Sequence, residues 1–381
     1  MAVQHSFTIY TSAEALPADW NTIAQANIFL SRAYLAVLEK AAPANMQCHF
    51  IGLFADGKLC GVALAQYLNL SNVATFGQQE EEKFSLRRYI FKKFSSHILF
   101  IGNNMLTGQN AYVLNEGIAE TDALRLMHDA LQSLVKSYRK KCTCINVLGV
   151  KDFDENEMPD FEAAGFKGFH RFTTQPNMVF NIPQQWESID GYLADLNTKY
   201  RTQYNRSRKK AESITKRKLS LNCITENEQR LQELYLTVAG NASFNTFHLP
   251  ANHFRIFKEE LKDDFLLYGY FDGEKLIGFS TLIKNGDDFD TYFLGYDDTI
   301  QREKMLYLNM LYDMAAYAIK KRYSHVVYGR SAMEIKSSVG AKAVPVYGVI
   351  KHTNPFINFF MAKLFTYFDP KVNWKERNPF K

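Results

Sequence analysis

Two copies of one strand-turn-strand pattern constrain this chain more than any single motif in it. The first runs Phe50-Ile51-Gly52-Leu53-Phe54, turns at Asp56-Gly57-Lys58 and returns through Gly61-Val62-Ala63-Leu64-Ala65. The second runs Leu266-Leu267-Tyr268-Gly269-Tyr270, turns at Asp272-Gly273-Glu274 and returns through Gly278-Phe279-Ser280-Thr281-Leu282. Asp-Gly between apolar runs signals a tight hairpin, because glycine accepts the positive φ that a primed turn needs. Each copy follows helical stretches and leads into another strand and helix, so the pattern predicts a duplicated α/β unit. Hairpins demand antiparallel neighbours, while alternating strands and helices argue α/β. The expected fold class is therefore α/β with α+β-like mixed sheets, largely antiparallel and flanked by helices.

A length of 381 residues suits two such units, since domains commonly span about 100–200 residues. Pro176 and Pro183 bracket an extended segment, which places the expected boundary between domains 1–180 and 181–381. The second half then reads as a long helix over 186–216, a strand over 219–224, and helices over 227–240 and 252–261. After the hairpin come a strand to Tyr296, a helix over 303–322, a strand over 325–328, a short helix over 332–339 and a strand over 344–351. In the first half, Leu124, Met127, Leu131, Leu134 and Val135 give a helix over 120–140 one apolar face. An acidic-then-basic patch runs from Gln78 to Lys93.

The net charge of +5 accommodates an anionic ligand without requiring one. Five cysteines form no Cys-x-x-Cys pair, and His248 and His253 straddle Pro250 at a poor ligand spacing. No metal is expected. The first residues lack a basic stretch followed by an apolar core, and no apolar run reaches the roughly 18 residues of a membrane span. A cytoplasmic protein is expected. Walker, Gly-x-Gly-x-x-Gly, His-Glu-x-x-His and Gly-x-Ser-x-Gly motifs are all missing from the sequence.

Between Lys199 and Lys218 stand nine Lys/Arg and one acid, Glu212. On a helix, Tyr200, Tyr204 and Ser207 join Leu193 and Leu196 on a buried stripe, with Lys199, Arg206, Lys209 and Lys210 on the solvated side. Arg201 and Arg208 fall at the rim, where a guanidinium can lie along the core edge and grip a carboxylate or phosphate. The alternative is a solvated basic face with two snorkelling arginines. Because the tyrosines share the stripe with leucines, they are not free to stack on bases, and no DNA partner is expected. Tyr292 shares a strand face with Asp290, Leu294 and Tyr296 and is a candidate proton donor. Glu334 and Lys336 follow a strand at the opening of a short helix, two residues apart, so they face different ways.

These pieces together resemble the GNAT acyltransferase superfamily, in its divergent bacterial double-GNAT branch related to the Fem-type aminoacyltransferases. The resemblance is carried by Lys199-Tyr-Arg201 and Arg206-Ser-Arg208, the hairpin 272–282, Thr291-Tyr-Phe-Leu-Gly295, the 303–322 helix, and Glu334-Ile-Lys336 before Gly340. It implies two fused GNAT-like domains, with an acyl group passed to an amine in the second. By residue type, Glu334 is the candidate to deprotonate the amine and Tyr292 to protonate the leaving group, while Arg201, Arg208 and Lys336 would hold anionic parts of donor or acceptor. Acetyl-CoA-using members carry an Arg/Gln-x-x-Gly-x-Gly/Ala loop whose amides cradle the pyrophosphate. Here the equivalent Gln301-Arg-Glu-Lys-Met-Leu306 has no glycine, which counts against acyl-CoA. An aminoacyl-tRNA or another donor then stands beside acyl-CoA, with a small-molecule or cell-wall-precursor-like amine as acceptor. The alternative is a non-catalytic GNAT-fold binding protein that has lost the CoA-pyrophosphate loop.

Phe356 to Phe368 is apolar on nearly all sides yet too short to span a bilayer. Burial of its rings within the protein is the expectation, and peripheral membrane contact the alternative.

Overall fold

The computed structural model describes residues 3–71, 95–155, 158–173, 175–241, 245–368 and 374–381, side chains of 362–368 excepted. The Gln78–Lys93 patch lies outside the described residues. The chain divides into two compact units. Unit 1 comprises 1–174, 243–250 and 345–371, and unit 2 comprises 175–242, 251–344 and 372–381.

Unit 1 holds strands β1 (His5–Tyr10), β2 (Met46–Ala55), β3 (Lys58–Asn69), β4 (His97–Ile101), β5 (Tyr112–Leu114), β6 (Val147–Asp154), β7 (His170–Thr173) and β15 (Val346–His352). Their order is β1-β2-β3-β4-β6-β15-β7, with β5 on β3. Its helices are α1 (Trp20–Ala24), α2 (Arg32–Ala41), α3 (Glu120–Lys140) and α12 (Pro355–Phe368). On α3, Leu124, Met127, Leu131 and Leu134 are buried against the sheet, as the periodicity predicts, while Val135 is half-buried at the margin.

Unit 2 holds β8 (Asn177–Asn181), β9 (Ile214–Lys218), β10 (Phe265–Asp272), β11 (Lys275–Asn285), β12 (Asp288–Tyr296), β13 (His325–Gly329) and β14 (Lys342–Val344). The order is β14-β8-β13-β12-β11-β10-β9. Its helices are α4 (Ile189–Asp195), α5 (Thr198–Lys210), α6 (Leu221–Glu226), α7 (Glu228–Gly240), α8 (His253–Leu261), α9 (Asp298–Lys304), α10 (Leu306–Lys320) and α11 (Met333–Ser337).

The two strand orders match position by position, and each sheet has one parallel pair among the described strands, β4·β6 and β12·β13. The duplication therefore extends from the hairpins to the whole sheet. It includes a reciprocal exchange. Strand β8 lies between β13 and β14, and β15 lies between β6 and β7. For this reason unit 2 differs from the expected 181–381 domain: residues 345–371 belong to unit 1, because β15 hydrogen-bonds both of its neighbours there.

The hairpins use their glycines differently. In the first, Asp56 (φ 48°) and Gly57 (φ 77°) form the loop between the paired Ala55 and Lys58, as a type I′ turn requires. In the second, Asp272 pairs with Lys275, so the loop shifts to Gly273-Glu274 and Gly273 (φ 59°) supplies the positive φ.

Four local expectations change. The 186–216 helix breaks at Leu196, because the Asn197 side chain caps a new helix by accepting from the Tyr200 N–H. The strand expected over 219–224 lies earlier, at β9, since the Ser220 hydroxyl caps α6. Lys216, Arg217 and Lys218 thus sit on an edge strand, where charge discourages further pairing. The 303–322 helix breaks at Met305, whose φ is 51°. Finally, α12 lays only one side on the sheet, leaving Phe356 and Phe359 exposed, which corrects the expectation of full ring burial.

Candidate active site in the second unit

The site begins where two strands part. β12 and β13 pair in parallel only from Asp288–Asp290 to His325–Val327. Beyond that, β12 runs on to Tyr296 and β13 ends at Gly329. A bulge accompanies the parting: Ser280 faces Leu294 but Leu282 faces Thr291, so Tyr292 and Phe293 share the place opposite Thr281. The Asp297 N–H donates to Ile277 O at 2.9 Å. By antiparallel alternation, the Leu294 and Tyr296 amides then point away from β11, toward the open edge.

A cavity of about 730 Å³ lies past the end of β13, and neither Leu294 nor Tyr296 is part of its lining. Met305 and Leu308 line it from the β12 side, and the 331–335 turn and helix line it from the β13 side. Lys199, Tyr200, Gln203 and Arg206 enter from α5, and Trp374 and Arg377 from the chain's last residues. Three cations, Lys199, Arg206 and Arg377, and one carboxylate, Glu334, thus line it. Arg377 pairs with Glu334, and its backbone N–H donates to Ser337 Oγ at 2.9 Å. Gln203 Nε2 donates to Ser338 Oγ at 3.4 Å, tying α5 to α11.

The five residues singled out from sequence do not converge. Glu334 lines the cavity, half exposed in the first turn of α11. Tyr292 is outside the cavity lining, packed beside α8, where its ring lies against His253 and Phe257 and its hydroxyl is 3.1 Å from His253 Nε2. Arg201 caps the preceding helix: Nε donates to Leu193 O at 3.0 Å, and Nη2 to Ala194 O and Leu196 O at 3.1 and 3.0 Å. Arg208 donates through Nη1 to Asp313 Oδ1 at 2.8 Å and Asn309 Oδ1 at 3.2 Å, beside the Tyr204 and Tyr312 rings. Both rim arginines are spent inside the fold. Lys336 is 5% exposed and donates from Nζ to Gly329 O and Arg330 O at 3.2 and 2.6 Å, bracing the turn under the cavity. Burial pulls its ammonium pKa down to about 7.

The basic side chains that line the cavity from α5, Lys199 and Arg206, are exposed, as expected of the solvated side. Their spacing with Gln203 marks one helix stripe, a signal present in the sequence. Trp374 and Arg377 arrive from the far end of the chain, and no local pattern announces them.

The GNAT resemblance implies acyl-CoA, whose pyrophosphate needs free amides at a helix start. The loop is replaced by α9, whose amides are consumed within it: Ile300 and Gln301 donate to Asp297 O, and Met305 donates to Gln301 O. Asp297 caps α9 and is held below the usual carboxylate range by its hydrogen bond from Thr299. Two carboxylates, Asp297 and Asp298, open α9, while α10 begins after Met305 without a side-chain cap. No group of His, Cys, Asp and Glu able to hold a metal occurs among the described residues.

No protein-family model matches the sequence, and no curated protein matches it. By structure the chain is similar to FemX, with a TM-score of 0.53 and 10% identity over 94% of this chain and 99% of that one. It is also similar to a tandem GNAT protein from the clavulanic acid biosynthesis pathway, with a TM-score of 0.50 and 10% identity over 92% and 99% of the two chains. Matched strand orders, the parted parallel pair and these likenesses agree: the chain folds as a divergent, Fem-like double GNAT.

Proposed function

We propose that the second unit is an N-acyltransferase that takes its acyl group from a donor other than acyl-CoA, an aminoacyl-tRNA being the donor class. The observation carrying this reading is a cavity past the end of β13 that Glu334, Lys199, Arg206 and Arg377 line. An amine attacks the activated acyl carbon and forms the new C–N bond. The Leu294 or Tyr296 amide, on the unpaired edge of β12, donates to the developing oxyanion, the Glu334 carboxylate takes the amine proton, and as the acyl–oxygen bond to the donor breaks Glu334 returns that proton to the departing oxygen. Lys199 and Arg206 hold anionic parts of donor or acceptor, of which a phosphate-bearing cell-wall precursor is one class. Tyr292, whose hydroxyl is engaged with His253, has no part in this scheme.

The second reading is a binding protein without catalysis, favoured by the Glu334–Arg377 pair, which occupies the carboxylate. A transfer assay separates the two. Labelled aminoacyl-tRNA and labelled acetyl-CoA are each incubated with the protein and an amine acceptor, beside Glu334→Gln. The enzyme reading expects transfer from the aminoacyl donor, at least about a hundredfold slower in Glu334→Gln, with donor binding retained. Saturable aminoacyl-tRNA binding without turnover supports the binding protein. Efficient transfer from acetyl-CoA overturns the donor assignment.

A further inference from the structure

The described side chains of α12, 355–361, fasten it to unit 1 along one side. Asn354 Oδ1 caps it by accepting from the Phe356 and Ile357 amides at 3.0 and 3.3 Å. Asn358 anchors the first turns, accepting from the His352 N–H at 2.9 Å and donating to Gly168 O at 2.8 Å. Ile357 and Met361, one turn apart, pack on Phe100, Val147 and Ile350. Phe356, Phe359 and Phe360 are left outside, 76%, 78% and 38% exposed. Their rings touch edge-on, with centroids 5.4 and 5.1 Å apart. Among the described residues, the other exposed large apolar side chains, Val3, Leu221 and Leu236, are far apart in sequence and form no such ring cluster.

Basic groups flank the fastened edge. Lys351 Nζ donates to Lys167 O at 3.0 Å and lies over the Phe169 ring, next to the Gly168 carbonyl that Asn358 binds. Lys167 is exposed, and the only charged residue of α12 is Lys363. Three rings offer about 400 Å², roughly half of what each partner in a stable protein–protein interface buries. The helix carries no carboxylate to pair with these lysines in a second copy. Fourteen residues reach about 21 Å, short of the ~30 Å hydrocarbon core.

We propose that α12 docks unit 1 on an anionic lipid surface, lying in its plane with the phenylalanines among the acyl chains and Lys167 and Lys351 toward the headgroups. This does not depend on the acyl-transfer reading. The test sediments the full chain with vesicles of phosphatidylcholine alone or mixed in equal parts with phosphatidylglycerol. Phe356→Ser/Phe359→Ser, at exposed positions, should keep the wild-type melting curve and lower partitioning onto the mixed vesicles at least about tenfold. Lys167→Ser should lower it less, with the lysine contribution lost at high salt. Wild-type protein that ignores the mixed vesicles, or a double variant that binds them equally well, overturns the proposal. So does a concentration-dependent dimer that the double variant abolishes, which would give the face to a second copy.

Discussion

Replacing Lys336 by methionine tests whether the turn beneath the cavity rests on a buried amine that changes charge near neutrality. An ordinary lysine titrates near 10.5, and burial brings this one to about 7. A gap of that size corresponds to at most about 5 kcal/mol of coupling between protonation and folding. The Gly329 and Arg330 carbonyls favour the ammonium and offset part of the burial effect, so about 2–4 kcal/mol is expected. Between pH 7 and 10.5 the unfolded chain keeps the proton that the folded chain has released. Wild-type stability relative to Lys336→Met is therefore lowest below pH 7 and rises up to pH 10.5. Urea unfolding of both proteins across that range measures the difference directly, and groups common to both cancel. A stability difference that stays flat with pH would refute the reasoning, showing Lys336 charged throughout.

Asp313 accepts from Arg208 and Tyr270 and lies 3.6 Å from Lys216. Asp313→Ala leaves two part-buried cations unpaired and should cost about 2–4 kcal/mol, after allowance for their partial exposure; an effect under about 0.5 kcal/mol in urea melts would remove the network from the account. Arg201→Ala should cost about 1 kcal/mol of stability through the lost α4 cap and leave ligand affinity unchanged, whereas Arg206→Ala should weaken an anionic ligand by about 1.5–3 kcal/mol in calorimetry. Gly295→Ala should disrupt unit 2, because the added methyl would sit 2.5 Å from the Leu234 carbonyl carbon and 2.6 Å from the Tyr235 nitrogen, both backbone. A soluble Gly295→Ala protein with a wild-type melting curve would contradict the close packing of α7 on β12.

The duplication was legible because Asp-Gly turns are local chemistry, and the α3 stripe because periodicity is. The strand exchange was not legible. Residues 177–181 and 346–352 read as ordinary strands, and nothing local says which sheet takes them. Asn197 and Ser220 are standard cap residues, so both helix boundaries were in reach of the sequence; the apolar stripe running through Leu196 to Tyr200 masked the first. The basic helix shows the limit of projection. It placed Tyr200 and Ser207 inside, which the fold bears out. It could not tell which outer residues face a cavity, because that depends on Trp374 and Arg377 arriving from elsewhere. Nor could it foresee that Arg201 and Arg208 would find partners in Leu193 and Asp313.

On the proposed reading, chemistry takes place at the open edge of β12 and not in a phosphate cradle at α9. Amide hydrogen exchange with and without donor measures this at the residues concerned. Added aminoacyl-tRNA should slow exchange at Leu294 and Tyr296 and across 199–206, while acetyl-CoA leaves 297–306 unchanged. Protection of 297–306 by acetyl-CoA, with 294–296 unaffected by either donor, would contradict it.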